Sequence, residues 1–327
     1  MSTRPDPPTN SQSAGPQAAR PLYGGQAVIE GVMIRGVRHY SLAVRQPDGD
    51  IFCDTEPVSS RFSGRIRRVP GVRGVLILAE TLWYGMKSLQ RSAIIAAGEA
   101  EGEDGGDSSA SKWVMGMTMA VALALGIGIF LVLPLLAVRL IDPYLESSVV
   151  SNLIEGVIRL VILVAYVAGI SAMKDIRRVY AYHGAEHMAV HAYEAGQPLT
   201  VDNVRQHPTP HPRCGTAFLL TVAVVSVLVF ALLGRPDLEW RILSRIALIP
   251  VVAAVSYEII RFSGAHRQAW FGKALAAPGL ALQLITTRQP DEEQIQVAIA
   301  AMEAALAADE QTSPDAVAAE PAASRHC

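Results

Sequence analysis

Long apolar stretches without charged side chains dominate the middle of the chain. Several of them approach or exceed the roughly 20 residues that an α-helix needs to cross a bilayer. Residues 113–138 form the clearest of these stretches, since they carry no charge at all. The pattern therefore predicts four membrane-spanning helices. Their predicted bounds are residues 113–138, 149–173, 216–234 and 242–260.

Two of the predicted spans contain ionisable side chains, namely Glu155 and Arg159 in the second and Arg245 and Glu258 in the fourth. Such groups are costly inside a bilayer and usually face a partner or a watery cavity. Pairing of Glu155 with Arg245 would satisfy both, although the arginines could instead extend their charged ends to the membrane surface. Glu258, near the cytoplasmic end of its span, is placed to reach the histidine-rich segment as a ligand or base.

Residues 22–60 show a different pattern, the alternation that is typical of β-strands. Residues 26–34 form one predicted strand, and residues 41–46 and 50–55 form a hairpin across a Pro-Asp-Gly turn. A β unit of this size is too small to bury a core alone, so we expect it to pack on another part of the chain. Its glycines lack the lysine of a phosphate-binding loop, and we interpret them as sites of turns and close backbone packing.

A basic segment and a helix follow the β unit. Residues 61–98 begin with arginines and continue as an amphipathic stretch over residues 75–97. This combination is typical of a helix at the membrane interface. The alternative is an ordinary amphipathic helix that packs on the β unit. The acidic residues 99–112 form a flexible linker before the predicted membrane domain, residues 113–260. The arginines are Arg61, Arg65, Arg67, Arg68 and Arg73.

Both ends of the chain differ from the rest in composition. Residues 1–21 are rich in proline, serine and glutamine and contain no apolar core of a secretory signal, so a disordered tail is expected. Residues 261–306 are predicted to form a cytoplasmic region, with an amphipathic helix over residues 291–307. Residues 307–327 are expected to form a second disordered tail.

Composition places the chain among membrane proteins. Half of the residues are apolar, only 18% are charged, and the mean hydropathy is +0.28. The formal net charge of −2 argues against a nucleic-acid partner. The three cysteines are too widely separated to form a disulfide framework, which suits a reducing, cytosol-facing position for Cys214.

Positive residues are concentrated on one side of the predicted spans. Five lie between the second and third spans, and the arginine-rich segment before the first span adds to the same side. Because basic residues favour the cytoplasmic side, both termini and residues 174–215 are expected to face the cytoplasm. The predicted localisation is the cell (inner) membrane, crossed several times. The five residues are Lys174, Arg177, Arg178, Arg205 and Arg213.

A histidine-rich segment carries the clearest candidate chemistry. In a helix, His183 and His187 lie four positions apart and project from one face, where a single divalent ion can bridge them, with Glu186 beside them. This H-x-x-E-H arrangement occurs in inverted zinc peptidases, in which the glutamate is the general base. His211 or Cys214 would be the third ligand. We therefore predict a divalent-metal site, best suited to zinc, with Glu186 as the catalytic residue.

Two other interpretations of these residues stay open. In the first, His183, His187, His211 and Cys214 all ligate the ion, and the site is structural and does no chemistry. In the second, the histidines bind no metal and only pair with acidic groups on a solvated helix face. His191, one turn beyond His187, is a ligand, an orienting residue or a surface histidine.

Five short runs of sequence resemble those of a known family. The runs are Gly24-Gly-Gln-Ala-Val-Ile-Glu-Gly-Val-Met-Ile-Arg-Gly36, Tyr182-His-Gly-Ala-Glu-His187, His211-Pro-Arg-Cys-Gly215, Ser256-Tyr-Glu-Ile-Ile260 and Thr286-Thr-Arg-Gln-Pro-Asp291. Together they resemble the bacterial YqhQ family, uncharacterised membrane proteins that are described as predicted metal-dependent enzymes. The resemblance extends over residues 22–305.

The resemblance bears on which residues belong to the site. His191 and His207 lie outside the family pattern, which weakens them as ligands. Gln26, Glu30 and Arg35 lie in the N-terminal run and are expected to line the same cytoplasmic site, which would explain why a small β unit precedes a membrane bundle. The positions that match the family pattern are His183, Glu186, His187, His211 and Cys214.

The sequence thus predicts a mainly α protein, a polytopic membrane helical bundle of about four spans with a small N-terminal cytoplasmic β-containing unit. The predicted function is that of a membrane-embedded, zinc-dependent hydrolase that acts on a peptide or lipid-linked bond near the inner membrane surface. The alternative is a non-enzymatic scaffold or transport-related protein with a structural metal. The expected partners are the lipid bilayer and that substrate, with no nucleic acid.

Overall fold

A computed structural model describes residues 21–59, 69, 71–98, 109–266 and 268–312 of the chain. Within these residues the protein is mainly helical, with a small antiparallel sheet at the N-terminal end. Some predicted features lie outside the described residues. These are most of both tails (1–20 and 313–327), four of the arginines (Arg61, Arg65, Arg67 and Arg68) and residues 99–108 of the acidic linker.

Four antiparallel strands form a meander in which each strand pairs with the next. The expected single strand over residues 26–34 is wrong, because the chain turns at Glu30, whose φ is 52°, and forms two paired strands instead. The expected hairpin between the last two strands is confirmed. The strands are β1 (Gly24–Val28), β2 (Gly31–Arg35), β3 (His39–Arg45) and β4 (Ile51–Pro57).

Both faces of the sheet are covered, which answers how so small a unit is stabilised. One face packs against helix α1 (Val72–Ala96) through Tyr84 and Ile95. The alternation along β2 sends Val32 to the other face, where it lies in a core shared with two further helices. The sheet is therefore the central layer between helices, and the packing of α1 matches the second of the two interpretations offered for residues 75–97.

The two helices on the far face of the sheet are α5 (Lys174–Glu194) and α11 (Glu292–Gln311). Helix α11 begins with a reciprocal capping box between Asp291 and Gln294, which satisfies two backbone N–H groups. It continues to Gln311, so the expected disordered tail does not begin at residue 307. One side of α11 is buried in this core, through Ile295, Val297, Ala298, Ala301, Met302 and Ala305.

Two apolar helical segments are long enough to cross a membrane. One runs from Gly116 to Arg139, and the other is α4 (Ser148–Ile170). The first comprises most of α2 (Ser109–Ile127), a π-helical stretch (Gly128–Val132) and α3 (Leu133–Arg139). The expected third span is the apolar helix α7 (Gly215–Ala231), which is shorter, with 17 residues.

The expected fourth span, residues 242–260, is not one helix. The chain forms α8 (Leu238–Ala247) and α9 (Ile249–Ala265), which meet at an angle of 44°. Pro250 lies in the first turn of α9, where it has no N–H to continue the preceding helix. A four-span bundle is therefore not confirmed: the described residues contain two such spans, or three if the bent pair counts as one.

Two further helices complete the set of α-helices among the described residues. Helix α6 (Val201–Val204) lies between α5 and α7, in the segment that was expected to be a loop. Helix α10 (Trp270–Thr286) was not anticipated from the sequence and packs against α7 and α9. Its last turn brings Gln283 and Thr286 beside the histidine-rich segment.

Candidate metal centre

Helix α5 holds His183 and His187 on one face, as their four-residue spacing requires. Every residue from 181 to 190 is buried, because the sheet, α11, the segment before α7 and the end of α10 surround this part of the helix. Gly184 permits the closest of these contacts, since a Cβ at this position would collide with the Arg288 carbonyl oxygen. The two imidazoles are therefore enclosed by protein and not displayed on a solvated helix face.

Cys214 joins the two histidines at the start of α7. It is the N-cap residue of that helix, and its Sγ accepts a hydrogen bond from the Thr216 backbone N–H at 3.3 Å. His183 Nε2 lies 3.1 Å from Cys214 Sγ. Within the part of the chain that the structure describes, one ligand atom from each of His183, His187 and Cys214 lies within 4.8 Å of the others. We call these three residues the His/His/Cys trio.

Backbone carbonyl groups fix the orientation of both imidazoles. His183 Nδ1 lies 2.9 Å from the Thr286 carbonyl oxygen, and His187 Nδ1 lies 2.5 Å from that of Thr209. A carbonyl oxygen can only accept, so each Nδ1 carries the hydrogen and each Nε2 keeps its lone pair. Histidine ligands of metal ions in proteins are oriented in this way.

The segment before α7 is held in place by one side-chain amide. Gln283 of α10 accepts a hydrogen bond from the His211 backbone N–H at 2.7 Å and donates one to its carbonyl oxygen at 3.0 Å. Gln283 is fully buried, so both bonds are sheltered from water. Gln283 thereby holds the backbone of His211, two residues after Thr209, whose carbonyl oxygen binds His187 Nδ1.

His211 lies beside the trio and not among its atoms. Its ring centroid is 5.6 Å from that of His187 and 4.6 Å from that of His191. Its Nδ1 accepts from the Arg213 backbone N–H at 3.3 Å, and its Nε2 lies 3.5 Å from Glu194 Oε1. The structure thus favours Cys214 over His211 as the third member of the group.

His191 and His207 form the outer edge of this histidine-rich region. Their rings stack at 6.0 Å. His191 Nε2 is bound to the Pro210 carbonyl oxygen at 3.0 Å, and His207 Nε2 to Gln197 Oε1 at 2.8 Å. Neither histidine belongs to the trio.

Glu186 is buried next to the trio, with its Oε2 3.5 Å from His187 Nε2. Strand β1 lies directly against it: the Gly25 backbone N–H donates to the Glu186 carboxylate, and a Cβ on Gly25 would lie 2.9 Å from Glu186 Cγ. Burial raises the pKa of Glu186 to about 8, and the neighbouring Cys214 adds to this rise, while His183 and the Gly25 N–H act against it. A carboxyl group with this pKa exchanges protons near neutral pH.

Burial shapes the protonation of the trio as well. Loss of solvation lowers the pKa of His187 to about 2, and the proximity of His183 contributes. Burial also raises the pKa of the Cys214 thiol, although the hydrogen bonds from Thr216 oppose the rise. Without a metal ion His187 and the Cys214 thiol are therefore neutral at pH 7, and His187 keeps its lone pair available.

Four residues that were expected at the site have other partners. Glu258 binds Arg73 and the Gly71 backbone N–H and is not among the residues of the trio. Glu30 is paired with Arg178 and Tyr182, and Arg35 with Glu80 at 2.8 Å. The Gln26 side chain lies against Gly85 of α1.

The sequence interpretation missed the groups that hold the trio in place, namely Gly25, Thr209, Gln283 and Thr286. Three of them act through backbone atoms, which leave no signature in side-chain chemistry. Gly25 and Thr286 do lie within two of the runs that resemble the known family. Those runs are the only signal by which the sequence could have associated them with the histidines.

The fold and the trio define a mainly helical protein in which a sheet-and-helix unit and an apolar helical region meet at a buried His/His/Cys group. The chain belongs to the family described as "Protein of unknown function (DUF1385)", whose family model matches residues 69–308. It is similar to the "Uncharacterized protein YqhQ" of Bacillus subtilis (strain 168), with 34% identity over 287 residues that cover 85% of this chain and 90% of that protein. No solved structure matches the chain. The resemblance to the YqhQ family is thereby confirmed.

Proposed function

We propose that His183, His187 and Cys214 bind a divalent metal ion, zinc, and that the protein is a metal-dependent hydrolase. The observation that carries the proposal is the convergence of three ligand atoms within 4.8 Å, with both imidazoles oriented by backbone carbonyl groups. Two imidazole nitrogens and one thiolate suit zinc, which is a borderline-soft ion. The donors come from α5 and from the start of α7, so the folded chain is needed to assemble the site.

A set of three protein ligands is typical of catalytic zinc sites, which keep a fourth position for water or substrate. Bound zinc would supply a Lewis acid and lower the pKa of a water molecule at that position. Glu186 is the residue placed to take up a proton at its carboxylate and to return it to a leaving group, since its Oε2 lies 3.5 Å from His187 Nε2. The Gly25 N–H orients that carboxylate.

The position of the site next to apolar helices supports a membrane-bound substrate. Three residues separate the end of α4 from the start of α5, which carries both histidines. The apolar side chains of Leu123, Val157 and Val161 point outward, as expected of helices that face lipid. We therefore propose a multi-pass protein of the cell (inner) membrane, with both termini cytoplasmic, that acts on a peptide or lipid-linked bond near the inner surface.

Metal content is the first test of this proposal. The full chain, purified in detergent, is expected to hold about one zinc ion, measured by elemental mass spectrometry. The double substitution His183→Ala/His187→Ala should abolish it. The substitution His207→Ala is the matched control, because His207 lies outside the trio, and it should leave the metal content unchanged. An absence of metal from the wild type after zinc supplementation would overturn the metal proposal.

A structural metal in a non-enzymatic scaffold or transport-related protein is the second candidate. The closeness of a fourth donor favours it, since the rings of His187 and His211 are only 5.6 Å apart. The variants Glu186→Gln and His187→Ala separate the two functions when their biological activity in cells and their metal content are compared. If the protein is a hydrolase, both variants lose activity, although Glu186→Gln keeps its metal. If the metal is structural, Glu186→Gln keeps its activity and only His187→Ala loses it.

A further inference from the structure

A second buried polar cluster lies within the apolar helical region and has no part in the metal proposal. Three guanidinium groups surround one carboxylate, that of Glu155. Arg159 Nη2 lies 2.7 Å from Glu155 Oε1, while Arg241 Nη2 and Arg245 Nη2 lie 3.0 and 3.1 Å from Glu155 Oε2. The expected pairing of Glu155 with Arg245 is confirmed, and Arg159 and Arg241 also bind the Glu155 carboxylate. We call Glu155, Arg159, Arg241 and Arg245 the arginine cluster.

The cluster contains more positive than negative charge. Asp142 is the second carboxylate in contact with it, 2.8 Å from Arg241 Nη1, and it is shared with Arg235 at 3.6 Å. Three buried guanidinium groups thus face two carboxylates. A lysine or histidine in such a place could lose its proton, but a guanidinium group does not do so in proteins. The Phe230 ring faces two of these groups, with the guanidinium carbons of Arg159 and Arg245 5.1 and 5.0 Å from its centroid. A bound anion would balance the remaining excess of positive charge.

Two N–H-bearing nitrogen atoms of the cluster have no hydrogen-bond acceptor among the described residues. Arg245 is fully buried, yet its Nη1 has no hydrogen-bond partner among the described residues, and the same is true of Arg241 Nε. The two arginines lie four positions apart on α8, so their side chains emerge from the same face. Buried N–H groups of charged side chains are rarely left without an acceptor.

Helix irregularities border the cluster on two sides. The π-helical stretch Gly128–Val132 includes Phe130, whose carbonyl oxygen accepts from Arg159 Nε at 2.9 Å. On the other side, α8 ends at Ala247, where the chain bends by 44° into α9. Irregular helices at membrane depth are tolerated where they line a polar cavity or a binding site. The π-helical stretch directs the Phe130 carbonyl oxygen toward Arg159.

We propose that the arginine cluster is a binding site for an oxyanion of the phosphate class. Arg245 Nη1 and Arg241 Nε are the donors without an acceptor, and a phosphate oxygen is a strong acceptor for such N–H groups. Arg245 Nε and Nη2 are already bound to Glu155. Lipid headgroups and free phosphate share this chemistry. Glu155 and Arg159 lie in the first half of α4, and the opposite end of α4 leads to α5. Ser226 of α7 accepts a hydrogen bond from Arg159. Ser226 lies about 18 Å along α7 from Cys214. The arginine cluster is therefore a second site, separate from the trio.

The test uses the full chain in a neutral detergent after removal of lipid, at constant chloride concentration. The unfolding temperature is measured with inorganic phosphate and, separately, with a short-chain phosphatidylglycerol. At about ten times the dissociation constant we expect a rise of roughly 2–6 °C. Arg245→Gln should lose this rise. Arg139→Gln, which removes an exposed arginine near the same end of α4, should keep it and thereby controls for general salt effects.

Each outcome decides a part of the proposal. A rise with both probes assigns the site to the phosphate group itself, and a rise with phosphatidylglycerol alone assigns it to a lipid headgroup. No rise with either probe, or an equal rise in Arg245→Gln, overturns the proposal and leaves a hydrated structural ion network. If Arg245→Gln does not fold, Arg245→Lys keeps the charge but removes the Nη1 donor, and its apparent affinity for the effective probe should fall at least about tenfold. An unchanged affinity in that variant would also overturn the proposal.

Discussion

The His/His/Cys trio and the arginine cluster are both buried, but they respond to burial in opposite ways. The trio is built from groups that can be neutral: burial keeps His187 and the Cys214 thiol uncharged at pH 7. The arginines of the other cluster keep their charge, so that cluster must be balanced by Glu155, Asp142 and, as we propose, a bound oxyanion. Burial thus leaves members of the trio neutral, whereas it leaves the arginine cluster charged.

The two sites also differ in how the chain supports them. The imidazoles of the trio are oriented by backbone carbonyl groups of Thr209 and Thr286. The guanidinium groups are held mainly by side chains, above all by Glu155 and Asn152. Loss of a single side chain should therefore damage the arginine cluster more than the scaffold around the trio.

The largest effect should follow from Glu155→Gln. This change leaves three buried guanidinium groups without their shared carboxylate, and removal of one partner of a buried ion pair costs about 3–5 kcal/mol. The unfolding temperature of purified protein in detergent measures the loss, with the exposed Glu146→Gln as the matched control. Adding Arg245→Gln should restore part of the stability, since it removes one unbalanced charge. A double variant no more stable than Glu155→Gln would contradict the excess of positive charge.

The next effect concerns the contact between the sheet and Glu186, which lies beside the trio. In Gly25→Ala the new Cβ would lie 2.5 Å from the Met33 carbonyl oxygen and 2.9 Å from Glu186 Cγ, so strand β1 must move. Overpacking of this kind costs about 1–3 kcal/mol. Gly24→Ala is the matched control, because nothing lies within 4 Å of its Cβ. Unfolding temperature and zinc content report the effect, and equal behaviour of the two variants would argue against the close packing.

A pH dependence should distinguish the trio from the arginine cluster in metal-free protein. The folded-state pKa of Glu186, about 8, exceeds its ordinary value, so the folded chain binds an extra proton and its stability is lost as the pH rises toward 8. The folded-state pKa of His187, about 2, is below its ordinary value, so stability is lost as the pH falls below about 6.5.

The two effects oppose each other between about pH 4.5 and 6.5, and only that of Glu186 remains above this window. Raising the pH from 6.5 to 8 should therefore destabilise the metal-free protein by about 2 kcal/mol. Glu186→Gln should remove that dependence, as measured by denaturant unfolding at several pH values. An identical slope in the variant would show that Glu186 does not titrate in this range.

The smallest effect should come from an exposed ion pair. Arg205 Nη2 lies 3.0 Å from Glu292 Oε2, with both side chains at least half exposed. Water and salt screen such a pair, so Glu292→Gln should change stability by less than about 0.5 kcal/mol in denaturant unfolding. If Glu292→Gln lost as much stability as Glu155→Gln, burial could not explain why one ion pair contributes more to stability than the other.

Much of the architecture could be predicted where the pattern is local. The long apolar runs predicted the first two apolar segments, and the alternation around the Pro-Asp-Gly turn predicted the hairpin of β3 and β4. The prediction failed where one residue changes the path of the chain, as at Glu30 and at Pro250. Helix α10 was overlooked because no motif marked it, although it supplies Gln283 and Thr286.

By itself the sequence determined which chemistry is present: imidazole, thiol and carboxyl groups between residues 183 and 214, and ionisable groups in apolar stretches. The helical spacing of His183 and His187 also follows from local geometry alone. Only the tertiary structure decided the third member of the trio, the contact of Gly25 with Glu186, and the meeting of three arginines at Glu155. The physical reason is that these contacts join residues far apart in the chain, and their backbone donors and acceptors are the same for every residue type except proline.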